Sequence, residues 1–210
     1  MSRYCILLTC TVKVKQYISY LHQRDAEERR NQYVKTIEHW LTRTKLDIVV
    51  VENSGYPFDE FDENERFKKI IINEDVANKE EYLKNEPSKG QHESYCIKFA
   101  YENCPMLQNA SHIIKITGRF FIPDLEAVLQ KNLNTNIKCI RQNNKERCEI
   151  VGCRNDLFNA IFDYPKKYPH VETAFAKNID CFEEHEILKL PNLPLNEITK
   201  RGCGLFFNTL

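Results

Sequence analysis

Two stretches of the chain are apolar at almost every position, Tyr4–Thr9 and Leu46–Val51, and His112–Ile116 reads as a further buried strand. Short unbroken apolar runs predict central strands covered on both faces. Phe67–Ile72 predicts a further strand. Between the runs the period changes to that of a helix. Tyr33, Val34, Ile37, Trp40 and Leu41 place one apolar face on a long helical segment spanning Lys15–Arg43. Its charged run Arg24–Arg30 reads as solvated surface, or as a break between two helices. Tyr95, Cys96, Phe99 and Ala100 do the same for a helix over Gln91–Asn103, with Ser88 placed to cap it.

Ser111–Leu125 combines these patterns in one stretch. A buried strand runs into the polar corner Thr117-Gly118-Arg119, and after Phe120-Phe121-Ile122 a helix opens at Pro123. Strand, polar corner, helix is the layout that sets functional groups at the carboxyl end of a parallel sheet. The corner holds a small residue and a cation and would suit an anion such as phosphate. A loop with one surface Arg is the plainer alternative. Beyond Gln130 the pattern is less regular. Asn136–Arg141 and Glu149–Cys153 predict two short strands joined as a hairpin. Phe158–Phe162 is a short amphipathic piece, and Val171–Ile179 reads as a helix with Glu172 in its first turn. Glu183–Leu190 is one more strand or helix. Pro191 and Pro194 mark a loop, and Arg201–Gly204 a turn. The order predicts an α/β fold: one Rossmann-like domain with a mostly parallel sheet of about six strands flanked by helices.

Composition narrows the function. Lys and Arg number 30 and Asp and Glu number 30, so the chain lacks the basic excess of a general nucleic-acid binder. No run approaches the ~20 apolar residues that span a bilayer. Tyr4–Thr9 is too short for a signal-peptide core, so a cytoplasmic protein is expected. Nine Cys show no Cys-x-x-Cys pairing, which points to reduced thiols used as small hydrophobes.

Each strand ends in groups with chemistry to offer. Thr9-Cys10-Thr11-Val12 follows the first strand and could seat a base or ribose. Glu52-Asn53-Ser54 follows the second, with a carboxylate and an amide suited to ribose hydroxyls or a base edge. Asn73-Glu74-Asp75 follows the third, an acidic pair able to touch a metal. Lys89, His92 and Glu93 cluster where a helix begins and an anion is favoured. In every case an ordinary solvated loop is the alternative.

The ordered set of motifs resembles that of small GT-A-fold glycosyltransferases. Glu52-Asn53-Ser54 resembles their Asp/Glu-Asn-x-Ser motif, and Lys89-Gly90-Gln91-His92-Glu93 their Lys-Gly-x-x-Glu segment. Lys115-Ile116-Thr117-Gly118-Arg119-Phe120 resembles a Lys-x-Thr-Gly-Arg-Tyr/Phe variant of the donor-phosphate motif. That variant occurs in glycan-synthesis proteins of bacteria and large DNA viruses, including capsid-glycosylating enzymes of algal viruses. The similarity covers roughly Tyr4–Leu129. It implies a nucleotide-sugar-binding half at residues 1–129 and an acceptor-side half at 130–210. It also implies a UDP-sugar as the commonest donor and a glycan or glycoprotein as acceptor. The donor-binding set it implies comprises Thr9–Val12, Glu52–Ser54, Lys89, Gly90, His92, Glu93, Lys115, Thr117, Gly118 and Arg119.

The chain departs from the group where most members carry Asp-x-Asp to hold Mn²⁺ or Mg²⁺. Thr117-Gly118-Arg119 puts a cation there instead. Arg119, with Lys115 or Lys89, could meet the leaving diphosphate directly. A metal held at Asp75 is the alternative. For the catalytic base the expectation is Glu172, with Glu93 and Asp75 as other carboxylates; a first-turn Glu complementing the helix dipole is the competing reading. A nucleotidyltransferase and a non-catalytic nucleotide-sugar-binding domain are the competing functions. The absence of Gly from Thr9–Val12 counts against the former.

Overall fold

The computed structural model describes residues 4–15, 23–72, 88–144, 147–165, 168, 170–200 and 206–209. Its centre is a seven-stranded sheet. In chain order the strands are β1 (Tyr4–Cys10), β2 (Asp47–Glu52), β3 (Phe67–Ile71), β4 (His112–Thr117), β5 (Cys139–Gln142), β6 (Ile150–Arg154) and β7 (Ile187–Leu190). They lie side by side as β3-β2-β1-β4-β6-β5-β7. All run parallel except β6, which is antiparallel to both neighbours. Every residue of β2 is buried, as the unbroken run DIVVVE requires. Two further strands, β8 (Pro194–Lys200) and β9 (Phe206–Thr209), pair as a separate antiparallel hairpin.

Helices cover both faces. α1 (Ala26–Arg43) and α4 (Leu125–Asn132) pack on one. α2 (Lys89–Asn103), α3 (Pro105–Gln108), α5 (Phe158–Ile161) and α6 (Val171–Ile179) pack on the other. The Asp25 carboxylate caps α1 by accepting the Glu28 N–H at 2.7 Å. Ser88 Oγ caps α2 by accepting the Gln91 N–H at 3.4 Å. Trp40 is wholly buried and donates from Nε1 to the Phe120 carbonyl at 3.1 Å, tying α1 to the corner after β4.

The sheet has one strand more than expected, because Ile187–Leu190 adds to its edge beside β5. Pro194 begins a strand rather than lying in a loop. α1 begins at Ala26, with Asp25 as its cap. The run Arg24–Arg30 is not uniformly solvated, since Arg29 is 3% exposed. The acidic segment Phe58–Glu65, before β3, also has a buried member. Phe58 is fully buried, edge-on to Tyr33 and Tyr56. Of the eight described cysteines seven are buried and all are free thiols. Among the described residues no helix is long and apolar enough to cross a membrane. Asn73–Glu74–Asp75, Pro169 and Arg201–Gly204 lie outside the described residues.

Candidate functional site

The carboxyl ends of β1, β2 and β4 meet the start of α2 and the flank of α1 around one cleft. Thr9, Cys10, Thr11, Asn53, Lys89, His92, Glu93, Thr117 and Arg119 line it. So do Lys13, Val14, Lys15, Arg29, Tyr33, Val51 and Cys96, which the sequence patterns did not place in a site. Of the candidate positions, Val12, Glu52, Ser54, Gly90, Lys115 and Gly118 stand behind the lining and shape it.

Glu52 is fully buried and its carboxylate is saturated by the chain itself. Oε1 accepts the Val12 N–H at 2.9 Å and the Ser54 hydroxyl. Oε2 accepts the N–H groups of Ser54 at 2.9 Å and Tyr56 at 2.8 Å. Ser54 Oγ in turn accepts the Lys13 N–H at 2.8 Å. The motif expected to face a ribose therefore pins the loop after β1 to the loop after β2. Asn53, between its two members, is the one that reaches the cleft.

Gly118 is required by close approach. Its N–H donates to the Thr9 carbonyl at 3.0 Å. A Cβ there would overlap Cys10 Sγ and come within 2.8 Å of the Thr9 carbonyl oxygen. The corner after β4 is thus pressed against the end of β1, and the next residue, Arg119, enters the cleft. Its Nε is buried with no hydrogen-bond partner.

Lys115 does not reach the cleft. It is fully buried on β4, with Nζ 2.6 Å from Glu93 Oε1 and donating to the Cys148 carbonyl at 2.9 Å. Glu93 also accepts the Thr9 hydroxyl at 3.0 Å. Burial would raise the Glu93 carboxyl, but the charges of Lys115 and Lys89 and the two hydrogen bonds hold it below its ordinary value. Burial would lower Lys115; the Glu93 charge overcomes that and lifts it. The lysine expected to meet phosphate is committed to a buried pair instead.

Arg29 adds a cation from α1. Its Nε donates to the Thr11 carbonyl at 2.6 Å, Nη1 to the Gln23 carbonyl at 3.3 Å and Nη2 to the Tyr33 hydroxyl at 2.7 Å. The Tyr33 oxygen also accepts the Thr11 N–H at 3.3 Å. Burial pulls the Arg29 pKa down, and Arg119 opposes its charge. Burial, then the Glu52 charge, pushes the Cys10 thiol well up, so it stays protonated. The lining carries Lys13, Lys15, Lys89, Arg29 and Arg119 against one carboxylate, Glu93, already paired. Such a cleft selects anions.

Glu172 sits in the first turn of α6 and is not part of the cleft lining. The starts of α6 and α2 adjoin, because a Cβ on Gly90 would lie 3.1 Å from Val171 Cβ and from the Tyr164 ring. Its charge reaches Cys148. His112 is buried with Nε2 3.0 Å from the Ile137 carbonyl, and burial lowers its pKa, so it is a neutral structural group. His92 is buried and lines the cleft. The corner Thr117-Gly118-Arg119 offers no carboxylate, so it does not fit a divalent cation. Among the described residues no three His, Cys, Asp or Glu side chains are grouped to hold one.

No protein-family model matches the chain, and no curated protein matches it by sequence. Solved structures do. The fold is shared with a cytidylyltransferase. That enzyme, from Leptospira borgpetersenii serovar Hardjo-bovis, superposes with a TM-score of 0.51 at 11% identity, over 91% of this chain and 77% of its own. A protein named as a nucleotide-diphospho-sugar transferase, from Desulfovibrio desulfuricans G20, gives 0.49 at 14% identity over 91% and 80%. At such identities the likeness is one of fold.

Proposed function

We propose that the chain is a transferase of the GT-A-like class. It would move a sugar from a nucleotide-sugar donor, UDP-linked in the first instance, to a glycan or glycoprotein acceptor. The observation that carries this reading is Arg119. Its Nε is buried and without a partner at the end of β4, in a cleft lined by four other cations. An Arg fork meets phosphate oxygens bidentately. At ~4 Å a pair of unit charges is worth about 4 kcal/mol at an effective dielectric near 20. Arg119, Arg29 and Lys89 would stabilise charge as it develops on the leaving diphosphate. Asn53, Thr9 and Thr11 would face the nucleoside. Glu172, from the adjoining start of α6, would take the acceptor proton.

Nucleotidyl transfer is the second reading. Lys13 and Lys15, on the loop straight after β1, favour it because they bring cations to the position where a nucleoside triphosphate would lie. A divalent cation at Asp75 stands as the alternative to Arg119 in either reaction. A domain that binds a nucleotide sugar without turning it over would share the same cleft.

The test is a thermal-shift titration with UDP, GDP, CMP and ADP, each with EDTA and with Mn²⁺. A ligand at ~100 times its dissociation constant stabilises the fold by about 2.7 kcal/mol. A shift with one nucleotide that survives EDTA supports a donor site built on Arg119. A shift only with Mn²⁺ moves the phosphate role to the acidic segment at Asp75. No shift with any nucleotide removes the reading. Release of diphosphate from a nucleoside triphosphate plus a sugar phosphate would select nucleotidyl transfer.

A further inference from the structure

Arg141 lies in β5 and is 8% exposed. Its Nε and Nη1 are buried and donate to no acceptor. A guanidinium carries five N–H donors and a permanent charge. Enclosing such a group without partners is costly, and folded proteins seldom do it. Where they do, a ligand that completes the site is the natural explanation.

Register fixes what surrounds it. Arg141 pairs with Val151 of β6, and Val151 pairs on its other side with Lys115 of β4. Residues opposite one another across strands point to the same face. Arg141 and Lys115 therefore both project to the face covered by α2 and α6, two strand spacings or about 10 Å apart. Lys115 is committed to Glu93. On the far side Arg141 pairs with Lys189 of β7. Glu184, whose carboxylate feels the Arg141 charge, is 77% exposed and bound to Lys189 at 2.6 Å. Glu149 and Glu172 are close enough to act on Cys148. Neither bonds Nε or Nη1 of Arg141. The cation is enclosed toward the carboxyl end of the sheet, with its Nε and Nη1 donors unspent.

We propose that Arg141 anchors an anion subsite and that the acceptor is itself anionic, carrying a carboxylate or a phosphate. The subsite stands on the Arg141 geometry; its assignment to the acceptor rests on the glycosyltransferase reading above. A carboxylate or phosphate would dock on one edge of the guanidinium, pairing Nη2 with the free Nε on one edge or with the free Nη1 on the other. It would hold the acceptor at the carboxyl end of β5, on the side where Glu172 begins α6.

The experiment follows the Arg141 Nε–H signal in a nitrogen-15 spectrum of the full chain, identified by its loss in Arg141→Lys. Glucuronate, glycerol phosphate and glucose are added separately at matched ionic strength. The expected result is a saturable shift with glucuronate or glycerol phosphate and none with glucose; whichever acts names the anion. No shift with either anion, or the same shift with glucose, overturns the proposal. Arg141→Met gives an independent reading. A group awaiting a ligand can be replaced by an apolar stem with the melting temperature unchanged or raised. A drop of several degrees would make Arg141 a structural residue and overturn the subsite. The nucleotide titration reports on the donor separately. A nucleotide shift with a silent Arg141 overturns the subsite alone. An anion-responsive Arg141 without any nucleotide shift keeps the subsite and removes the donor reading.

Discussion

Lys115 Nζ and the Thr9 hydroxyl converge on the same oxygen of Glu93, at 2.6 Å and 3.0 Å. This joins the middle of β4, the end of β1 and the second turn of α2 through one carboxylate. Removing one partner of a buried pair leaves the other charge uncompensated, at a cost of about 3–5 kcal/mol. Lys115→Met is expected to lose that much in urea unfolding. The double variant Lys115→Met, Glu93→Leu should recover most of it. A loss in the double variant equal to the sum of the singles would mean the two groups act independently.

The pair also sets a pH dependence. Glu93 is held below its ordinary value of 4.5, so its contribution is fully present above that pH and is lost as pH falls through the depressed folded value. Lys115 is raised above 10.5, so its contribution is fully present below that pH and is lost only as pH rises through the raised value. Between these limits the pair adds no slope. His112, lowered from 6.5 by burial, adds stability present above that value and lost as pH falls through its folded pKa. Glu93→Gln should therefore flatten the acid limb below pH 4.5 while the His112 limb at higher pH remains. An unchanged limb below pH 4.5 would remove the assignment.

Gly118→Ala should be costly although the change is one methyl group. The new Cβ meets Cys10 Sγ and the Thr9 carbonyl. Overpacking of this kind costs about 1–3 kcal/mol. Adding Cys10→Ala should relieve part of the loss, because the backbone contact at Thr9 persists. Full recovery in the double variant would locate the whole clash on sulfur.

Arg119→Ala is expected to leave the melting temperature near that of the parent, since its buried Nε bonds nothing in the fold. Nucleotide affinity should fall about 10- to 100-fold, as for loss of a hydrogen bond to a charged group worth ~1.5–3 kcal/mol. Calorimetric titration of both proteins with the nucleotide found by thermal shift measures it. Equal affinities would sink the phosphate role of Arg119.

Arg29→Met should behave the opposite way, losing stability as well as affinity. Its three donors hold the Thr11 and Gln23 carbonyls and the Tyr33 hydroxyl. Leaving these buried acceptors unmet costs about 1–3 kcal/mol. Tyr33→Phe should reproduce the smaller part of that loss in denaturant unfolding.

The strands of the first half were legible because β1, β2 and β4 are covered on both faces and so read as short runs dominated by apolar residues. The edge was not. β7 is four residues long, and the hairpin of β8 and β9 starts on a proline that normally signals a loop. Within the cleft, the corner at Arg119 and the start of α2 at Lys89 were readable from their place after a strand and before a helix. Arg29 was hidden inside a charged run. The signal that would have found it is spacing, since Arg29, Tyr33 and Ile37 recur every four residues on the buried face of α1. Lys115 and Glu52 were recognised as special and given the wrong kind of task. A lysine between two buried isoleucines in a central strand already has to be neutralised inside the fold. A carboxylate followed by Asn-Ser-Gly can spend itself on its own turn.

Glu52 has a consequence for how the cleft can change over generations. With both oxygens doubly engaged, it welds the loops after β1 and β2 into a single part. A substitution that reshapes one loop must carry the other with it, so small steps toward a different base are blocked on that wall. α1 and α2, on opposite faces of the sheet, are each tied to the end of β1 as well, α1 through Arg29 and Tyr33 and α2 through Glu93. New nucleotide preferences in descendants of this sequence should accumulate at cleft side chains outside these ties, such as Lys89, while Glu52 and the backbone it grips stay fixed.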